Sequence, residues 1–591
     1  MKMLLTGNEA IARGAWECGV LFASAYPGTP SSEILANLTK YAEIDAEWAP
    51  NEKVAIEAAI GASMAGARSM TSMKHVGVNV GADPLLTFSY TGVYGGMVLV
   101  SADEPGQHSS QNEQDNRWYG KLAKIPILEP SDSQECKDMM RIGFEISEEF
   151  DTPLMMRVTT RICHSKSIVN CGDRDEKGVR EYKKQIDKFV TVPSFARKRR
   201  VFVEERMEKL LKYSEKSPLN RVEMNSKKIG VIASGMCYQY AMEVFGDSAS
   251  YLKLGFTCPL PKEKIRAFCQ QVETVYVIEE NDPYIEETVL MLGFESKLKG
   301  KNTIPKYGEL TPDVLRKSIH GESNPLIEYS REKIVDRPPT LCAGCPHRGF
   351  FYELSKRKDV VITSDIGCYS LGFAEPYSAT DANLCMGAGF SNGHGMQRVF
   401  SKMGIDKRVV GIMGDSTFFH TGINSLLEVV YNNSKTVCVI LDNATTGMTG
   451  HQDHPGTGLN AKGEISSRTS VEATVRALGI KHVAVVNPND LKKMRDTLDW
   501  ALSLDEPSVI ITKWPCVLKR ITEEEKVEYN NPFTTKCRVE PDKCIGCKLC
   551  LRCGCPALSI EPVDKKASID NACAGCDVCI QICPKKAIVK G

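Results

Sequence analysis

No apolar run in this 591-residue chain approaches the roughly 20 positions that a helix needs to cross a bilayer. The opening MKMLLTGNEAIARG offers too short an apolar stretch for a signal peptide, because Glu9 and Arg13 interrupt it. Net charge is lacking as well: 74 Lys and Arg balance 74 Asp and Glu, so the chain as a whole gives no reason to expect nucleic acid or an anionic membrane as a partner. These absences predict a cytoplasmic protein. Two familiar motifs are also missing. GAGFSNG at 387–393 lacks the GxGxxG spacing of a nucleotide fingerprint, and the CxxC of Cys342 and Cys345 has no second CxxC at zinc-ribbon spacing nearby. Cysteine, by contrast, is abundant. Ten of the 23 lie beyond position 536, and in a reducing compartment such thiols point to metal rather than disulfides. The rest of the composition, 42% hydrophobic and 25% charged, suits a globular protein of roughly three to five domains.

The chain is organised around residues 414–450. Val409-Val410-Gly411-Ile412-Met413 reads as a buried strand and Val437-Cys438-Val439-Ile440-Leu441 as the next, with a helical face of Ile423, Leu426, Leu427, Val430 and Tyr431 between them. Such a βαβ unit brings both strand ends to one edge of a parallel sheet, where ligands bind. The first strand ends at Gly414-Asp415 and the second at Asp442-Asn443, so a carboxylate and an amide converge. These oxygens suit Mg2+ holding phosphate groups. A lone Gly-Asp pair would be an ordinary polar turn; the matching second strand end lifts it above that. The arrangement resembles the thiamine diphosphate motif, GDG followed one βαβ unit later by NN, with Ser416 replacing the second glycine and Asp442 the first asparagine. The resemblance implies Asp415, Asn443 and the carbonyl of Thr445 as metal ligands, positions that both departures spare.

Residues 1–160 read as an α/β domain. Within it, residues 24–33 (SAYPGTPSSE) join an apolar stretch to a helix, with Ser and Thr available as N-caps and Glu33 in the first turn. NEKVAIEAAIGASMAGAR at 51–68 is a small-residue helix carrying Glu57, which reads either as a surface glutamate or as a buried carboxylate kept for a ligand. The polar loop 103–117 (DEPGQHSSQNEQDNR) is open to either reading on composition. Residues 161–228 are predicted as a basic connector: over 174–228, 17 Lys and Arg stand against nine Asp and Glu, and no base-reading motif accompanies the run Arg197-Lys198-Arg199-Arg200. Residues 229–320 read as a smaller α/β domain, and 338–520 as the domain holding the central motif. Its start, Cys342-Ala343-Gly344-Cys345-Pro346-His347-Arg348, suggests a helix beginning near Pro346.

The tail, 535–591, gives the most specific signal. Cys573-x2-Cys576-x2-Cys579-x3-Cys583-Pro584 is the bacterial [4Fe-4S] run, and Cys544-x2-Cys547-x2-Cys550-x4-Cys555-Pro556 repeats it with one extra residue. Because the fourth cysteine of each run ligates the other cluster, one cluster is expected on Cys544, Cys547, Cys550 and Cys583 and the other on Cys573, Cys576, Cys579 and Cys555, with Cys553 competing for the last place. Four-cysteine zinc is the plain alternative.

In order along nearly the whole chain, YPGTPSSE, IEAAIGASMAGAR, MKHVGVNVGADPL, CAGCPHRGFF, GDSTFFHTG, LDNATTGMTGHQ and the cysteine tail resemble the alpha subunits of indolepyruvate ferredoxin oxidoreductases, within the 2-oxoacid:ferredoxin oxidoreductase family. The resemblance implies an α/β multidomain fold: a pyrimidine-binding thiamine diphosphate domain at 1–160, a transketolase C-terminal-like domain at 229–320, a diphosphate-binding domain at 338–520 and a two-cluster ferredoxin domain at 535–591. It implies thiamine diphosphate, Mg2+ and two [4Fe-4S] clusters as cofactors, and oxidative decarboxylation of arylpyruvates with coenzyme A and ferredoxin. A beta subunit is expected as partner in a hetero-oligomer, with no nucleic acid or membrane. On the same grounds Glu57 is expected to bond the pyrimidine, Thr29 to lie near substrate and cofactor, and Gly414, Gly367, Cys368 and Ser416 to contact the diphosphate. His75, His108 and His420 are candidates for substrate contact or proton transfer, each equally readable as a structural histidine. The same chemistry on pyruvate or another aliphatic 2-oxo acid, and a non-catalytic electron-transfer subunit, are the alternatives.

Overall fold

The computed structural model describes residues 1–322, 330–335, 337–530, 532–533 and 535–591, and divides into two compact units, Met1–Tyr329 and Ser330–Gly591. The first is built on a seven-stranded sheet in the order Phe256–Cys258, Ile127–Leu128, Leu154–Thr159, Met97–Asp103, Ser69–Lys74, Phe22–Ala25, Asp45–Trp48. Every neighbouring pair is parallel except the first. Met97–Asp103 and Leu154–Thr159 are buried at every position, as a sheet covered on both faces requires. A second sheet orders Leu298–Lys299, Thr274–Ile278, Ile229–Ser234, Ser250–Leu254 and Asn220–Glu223. The region expected as a connector, 161–228, enters the fold more deeply than its composition suggests. Lys166–Asn170 pairs with Lys2–Thr6, and Asn220–Glu223 extends the second sheet. Between them Pro193–Lys216 is a 24-residue helix, and the Arg199 guanidinium of its basic run holds Asp151 at 3.0 Å.

Local signals set the helix boundaries. The Asn51 side chain accepts the Val54 N–H and starts the helix Glu52–Met64. The helix Ser32–Leu38 departs from the expected hydroxyl cap: Ser31 donates its hydroxyl to the Gly28 carbonyl instead. Glu33 does stand in the first turn.

The second unit carries a six-stranded, wholly parallel sheet ordered Ala382–Asn383, Val360–Ser364, Arg408–Gly414, Val437–Asp442, Ser508–Lys513, His482–Val486. The central βαβ unit is present, but the buried face of its helix Ile423–Tyr431 is not the expected one: Leu426 and Val429 are buried, whereas Leu427 and Tyr431 are exposed. A wide turn of π geometry, Phe418–Gly422, precedes this helix and carries one residue more per turn, which rotates the face presented to the sheet. The tail forms two short antiparallel strand pairs, Cys537–Val539 with Ile588–Lys590 and Leu558–Ile560 with Ala567–Ile569; one cysteine run follows Cys537–Val539 and the other follows Ala567–Ile569. Among the described residues no helix is long and apolar enough to cross a membrane.

Candidate functional site

Strands Arg408–Gly414 and Val437–Asp442 run in register, Gly414 opposite Leu441, so the residues after them leave the sheet at one edge. There Asp415, Asn443 and Thr445 are all buried. The Ser416 N–H donates to Asp415 Oδ1 at 3.0 Å and the Thr445 N–H to Asn443 Oδ1 at 3.3 Å, across a turn that holds Ala444 at φ 58°. Asp415 Oδ2 lies 3.1 Å from His454 Nε2. The Gly456 N–H donates to His454 Nδ1 at 3.1 Å, and a backbone N–H can only donate, so the ring proton sits on Nε2 and points at the carboxylate. The Thr446 hydroxyl donates to Ser416 Oγ at 3.0 Å and ties the two strand ends together. Burial, and secondly the Asp415 charge, push the Asp442 pKa up to about 7.

Further donors surround this edge. His347 is 2% exposed; burial pulls its pKa down to about 4 against the attraction of Asp415, so its ring is neutral, and its Nδ1 has no partner among the described residues. An orphaned buried imidazole nitrogen near the Asp415 carboxylate fits a metal-bound phosphate group, which supplies both charge and acceptors. The Gly367 N–H donates to Ser370 Oγ at 3.2 Å. A Cβ on Gly447 would stand 3.6 Å from Cys368 Sγ and 3.8 Å from Asn443 Nδ2, so Cys368 faces the 443–447 turn. His420 is buried with Nδ1 3.2 Å from Thr421 Oγ1. The sequence shows His347 only as part of the CAGCPHRGFF segment and offers no signal for His454; both are brought to Asp415 by the fold.

Four thiols from three loops gather beside this edge. Cys345 is buried, and its pKa is raised by burial first, then by Cys368 and Cys516. Burial and the neighbouring Cys516 and Cys342 push Cys368 up to about 11, and Cys516 is raised by burial, Cys342 and Asp415. The sequence did hold a signal for this: Cys368 follows strand Val360–Ser364 and Cys516 follows Ser508–Lys513, both at the ligand edge of the parallel sheet.

The tail cysteines surround two cavities. One is lined by Cys544, Cys547, Cys550 and Cys583, the crossed set expected from the spacing. The other is lined by Cys573, Cys576, Cys579 and Cys555, together with Cys553 and Cys537. The thiols stand around a space rather than a point, and backbone N–H groups aim at the sulfurs: Ala567 at Cys544 (3.4 Å), Ala587 at Cys583 (3.2 Å) and Cys537 at Cys573 (3.3 Å). That donor set fits an anionic iron–sulfur cluster. The Cys553 carbonyl is taken by Tyr377 and Arg348, which fixes its backbone beside the second cavity. Gly344 and Arg348 also line that cavity, so the CxxC loop abuts it.

In the first unit Thr29 and His75 lie beyond the ends of parallel neighbours Phe22–Ala25 and Ser69–Lys74. Thr29 is half-buried, and His75 is fully buried with Nε2 3.1 Å from the Asn112 carbonyl and with Nδ1 lacking a partner among the described residues. His108 is exposed and faces Glu309 at 3.4 Å. Glu57 does not satisfy the expected burial: its side chain is 46% exposed and pairs with Lys53 one helical turn away at 2.5 Å. The buried carboxylate of this helix is Glu52, 6% exposed in the first turn, its side chain packed where a Cβ on Gly77 would sit. Small-residue periodicity alone could not tell which glutamate faced inward. The loop 103–117 is anchored by Asp103, which accepts the Asn116 N–H at 3.0 Å, and by Arg117, which chelates Asp115.

Residues 13–229 match the family described as pyruvate flavodoxin/ferredoxin oxidoreductase, thiamine diphosphate-binding, and residues 365–512 match thiamine pyrophosphate enzyme, C-terminal TPP binding domain. An indolepyruvate oxidoreductase subunit IorA from Archaeoglobus fulgidus is 41% identical over 99% of this chain and 97% of its own length. The protein of that name from Methanothermobacter marburgensis is also 41% identical, over the same shares. A 2-oxoglutarate synthase subunit KorA from Archaeoglobus fulgidus is 27% identical over 47% of this chain and 88% of its own. With this likeness over both thiamine regions and the strand-end geometry above, the chain belongs to the indolepyruvate oxidoreductase IorA family of thiamine diphosphate-dependent 2-oxoacid oxidoreductases.

Proposed function

We propose that the protein oxidatively decarboxylates arylpyruvates such as indolepyruvate, with coenzyme A and ferredoxin, giving an aryl-acetyl-CoA, CO2 and reduced ferredoxin. The observation that carries this reading is the sequence of sites within one unit: Asp415, Asn443 and Thr445 at the sheet edge, the four thiols beside them, and two thiol-lined cavities beyond the CxxC loop. When bound, thiamine diphosphate supplies the carbanion chemistry that releases CO2 and iron–sulfur clusters accept electrons singly. Asp415, Asn443 and the Thr445 carbonyl are assigned to Mg2+, and His347 and Ser416 to the diphosphate. His454 donates to Asp415 Oδ2 and so holds the carboxylate in one orientation. Glu52, rather than Glu57, is assigned the carboxylate that bonds the pyrimidine, because it is the one withdrawn from water. Cys342, Cys345, Cys368 and Cys516 would hold a further cluster next to the thiamine site; Cys544, Cys547, Cys550 and Cys583 would hold the outer cluster, and Cys573, Cys576, Cys579 and Cys555 the inner one. A beta subunit completes the assembly, as the IorA name of the relatives suggests.

The test is anaerobic reduction of ferredoxin by the purified complex with indolepyruvate, phenylpyruvate and pyruvate in parallel, each with coenzyme A. Indolepyruvate and phenylpyruvate should be preferred. A preference for pyruvate would overturn the substrate assignment, and no reduction with any 2-oxo acid would overturn the reaction.

A further inference from the structure

The tail is built from two copies of one loop. Cys544-Ile545-Gly546-Cys547-Lys548-Leu549-Cys550 corresponds position by position to Cys573-Ala574-Gly575-Cys576-Asp577-Val578-Cys579. Both copies turn left-handed at the same two places, Gly546 and Lys548 (φ 66° and 62°) and Gly575 and Asp577 (φ 73° and 64°), which curls each loop around its cavity. The copies differ in what covers them. In the second, Ala574 packs on the CxxC loop, where a Cβ on Gly344 would stand 2.5 Å from Ala574 Cβ. In the first, the equivalent Ile545 is 62% exposed. Asp577 is neutralised by Lys590 at 2.7 Å. Its counterpart Lys548 is exposed and, among the described residues, makes no ion pair. After the Cys-Pro of the first run, Ala557 and Leu558 are buried at the inner cavity; after that of the second, their counterparts Lys585 and Lys586 are exposed at the outer one, also without ion pairs among the described residues. Exposed Lys565 adds to the rim, its carbonyl packed where a Cβ on Gly546 would lie. Residues 535–591 hold ten Lys and Arg against six Asp and Glu on a chain that is neutral overall.

We propose that this lysine-rimmed face, centred on Ile545, docks a small acidic one-electron carrier protein over the outer cavity. The proposal rests on the electron-transfer reading above and gives it a direction: the inner copy uses its loop surface to meet the CxxC loop, and the outer copy presents the same surface to a partner. An apolar tip inside a polar rim is the anatomy of a protein interface. Unpaired lysines lose no existing ion pair on binding, and their field speeds encounter with an acidic partner in a salt-dependent way.

The test uses the assembled complex, an oxidised acidic 2[4Fe-4S] ferredoxin as probe, and the variant K565E/K586E, whose two lysines stand on the rim without lining the cavity. Binding is measured by calorimetry at low and high salt, alongside iron content and the rates of ferredoxin and methyl viologen reduction. Ferredoxin affinity and kcat/KM at low salt should fall at least about tenfold and lose their salt dependence, with iron content and viologen reduction unchanged. I545A should weaken ferredoxin binding at both salt concentrations. Unchanged ferredoxin affinity in both variants would sink the docking face alone, and so would loss of the second subunit from K565E/K586E, which would make this face a subunit contact. A wild-type complex that reduces neither acceptor would sink the functional reading instead.

Discussion

Asp103 and Asp415 occupy corresponding places in two different sheets: Asp103 ends, and Asp415 directly follows, a buried strand of a parallel array at the edge where ligands bind. Their surroundings differ. Asp103 is met by the Arg157 guanidinium at 2.7 Å, which also reaches Glu129 at 2.8 Å, while Arg117 holds Asp115 and Glu279 in the same buried cluster. The chain itself supplies the counter-charge. Asp415 accepts from His454 Nε2 and lies near neutral His347, whose Nδ1 has no partner among the described residues, and near Asp442, whose pKa burial pushes up to about 7; no arginine or lysine is bonded to it among the described residues. Under the proposed assignment, the cation here is Mg2+ and comes from outside. A strand-end carboxylate therefore becomes structural or functional according to whether the protein brings its own cation.

The largest effect that would sharpen this contrast is expected from Asp415→Ala. Thiamine diphosphate retention should be lost and turnover should fall about a thousandfold or more, since losing a direct ligand exceeds the 10–100-fold typical of groups behind it. The urea midpoint of the apoprotein should barely move. Arg157→Ala should do the reverse. It leaves Asp103 and Glu129 buried without their cation, a loss of about 3–5 kcal/mol in stability read as a lower urea midpoint. A stable Arg157→Ala protein would break the comparison.

Next in size comes the pair Glu52→Gln and Glu57→Gln. The first should lower decarboxylation by about a hundredfold or more with clusters intact, and the second should stay within about twofold of wild type. A dead Glu57→Gln enzyme would restore the reading that burial argues against.

The smallest effect concerns Glu280, whose pKa burial raises to about 7 although the Leu310 N–H donates to it at 3.0 Å. A carboxyl raised by folding stabilises the fold below its unfolded pKa, and that contribution is lost as pH rises toward 7. Wild-type stability should therefore fall between pH 5 and 8 by about 1–3 kcal/mol more than that of Glu280→Gln, which keeps an acceptor for Leu310. Parallel pH profiles of the unfolding midpoint check this.

Much of the chemistry was legible because it is local. The spacing of the tail cysteines is a covalent property of the chain, and the cavity lined by Cys544, Cys547, Cys550 and Cys583 has the crossed membership that the spacing predicts. The strand ends at Asp415 and Asn443 could be read because a βαβ unit leaves few ways to arrange two hydrophobic strands. The exposure of Glu57 was not legible because an alanine- and glycine-rich helix has little hydrophobic asymmetry, so nothing in the pattern says which glutamate turns inward. His347, 68 residues before Asp415, and His454, 39 after it, are joined to it only by the packing of separate loops.

By itself, then, the sequence determined the cofactor motif, the two cysteine runs and the parallel-sheet class, because short-range spacing and hydrophobic period suffice for them. Only the tertiary structure decided which carboxylates carry their own counter-charge, that four thiols from three loops meet beside Asp415, and that one copy of the tail loop is covered while the other is bare. Burial and neighbourhood are properties of the packed chain, and they set the cost of an unpaired charge.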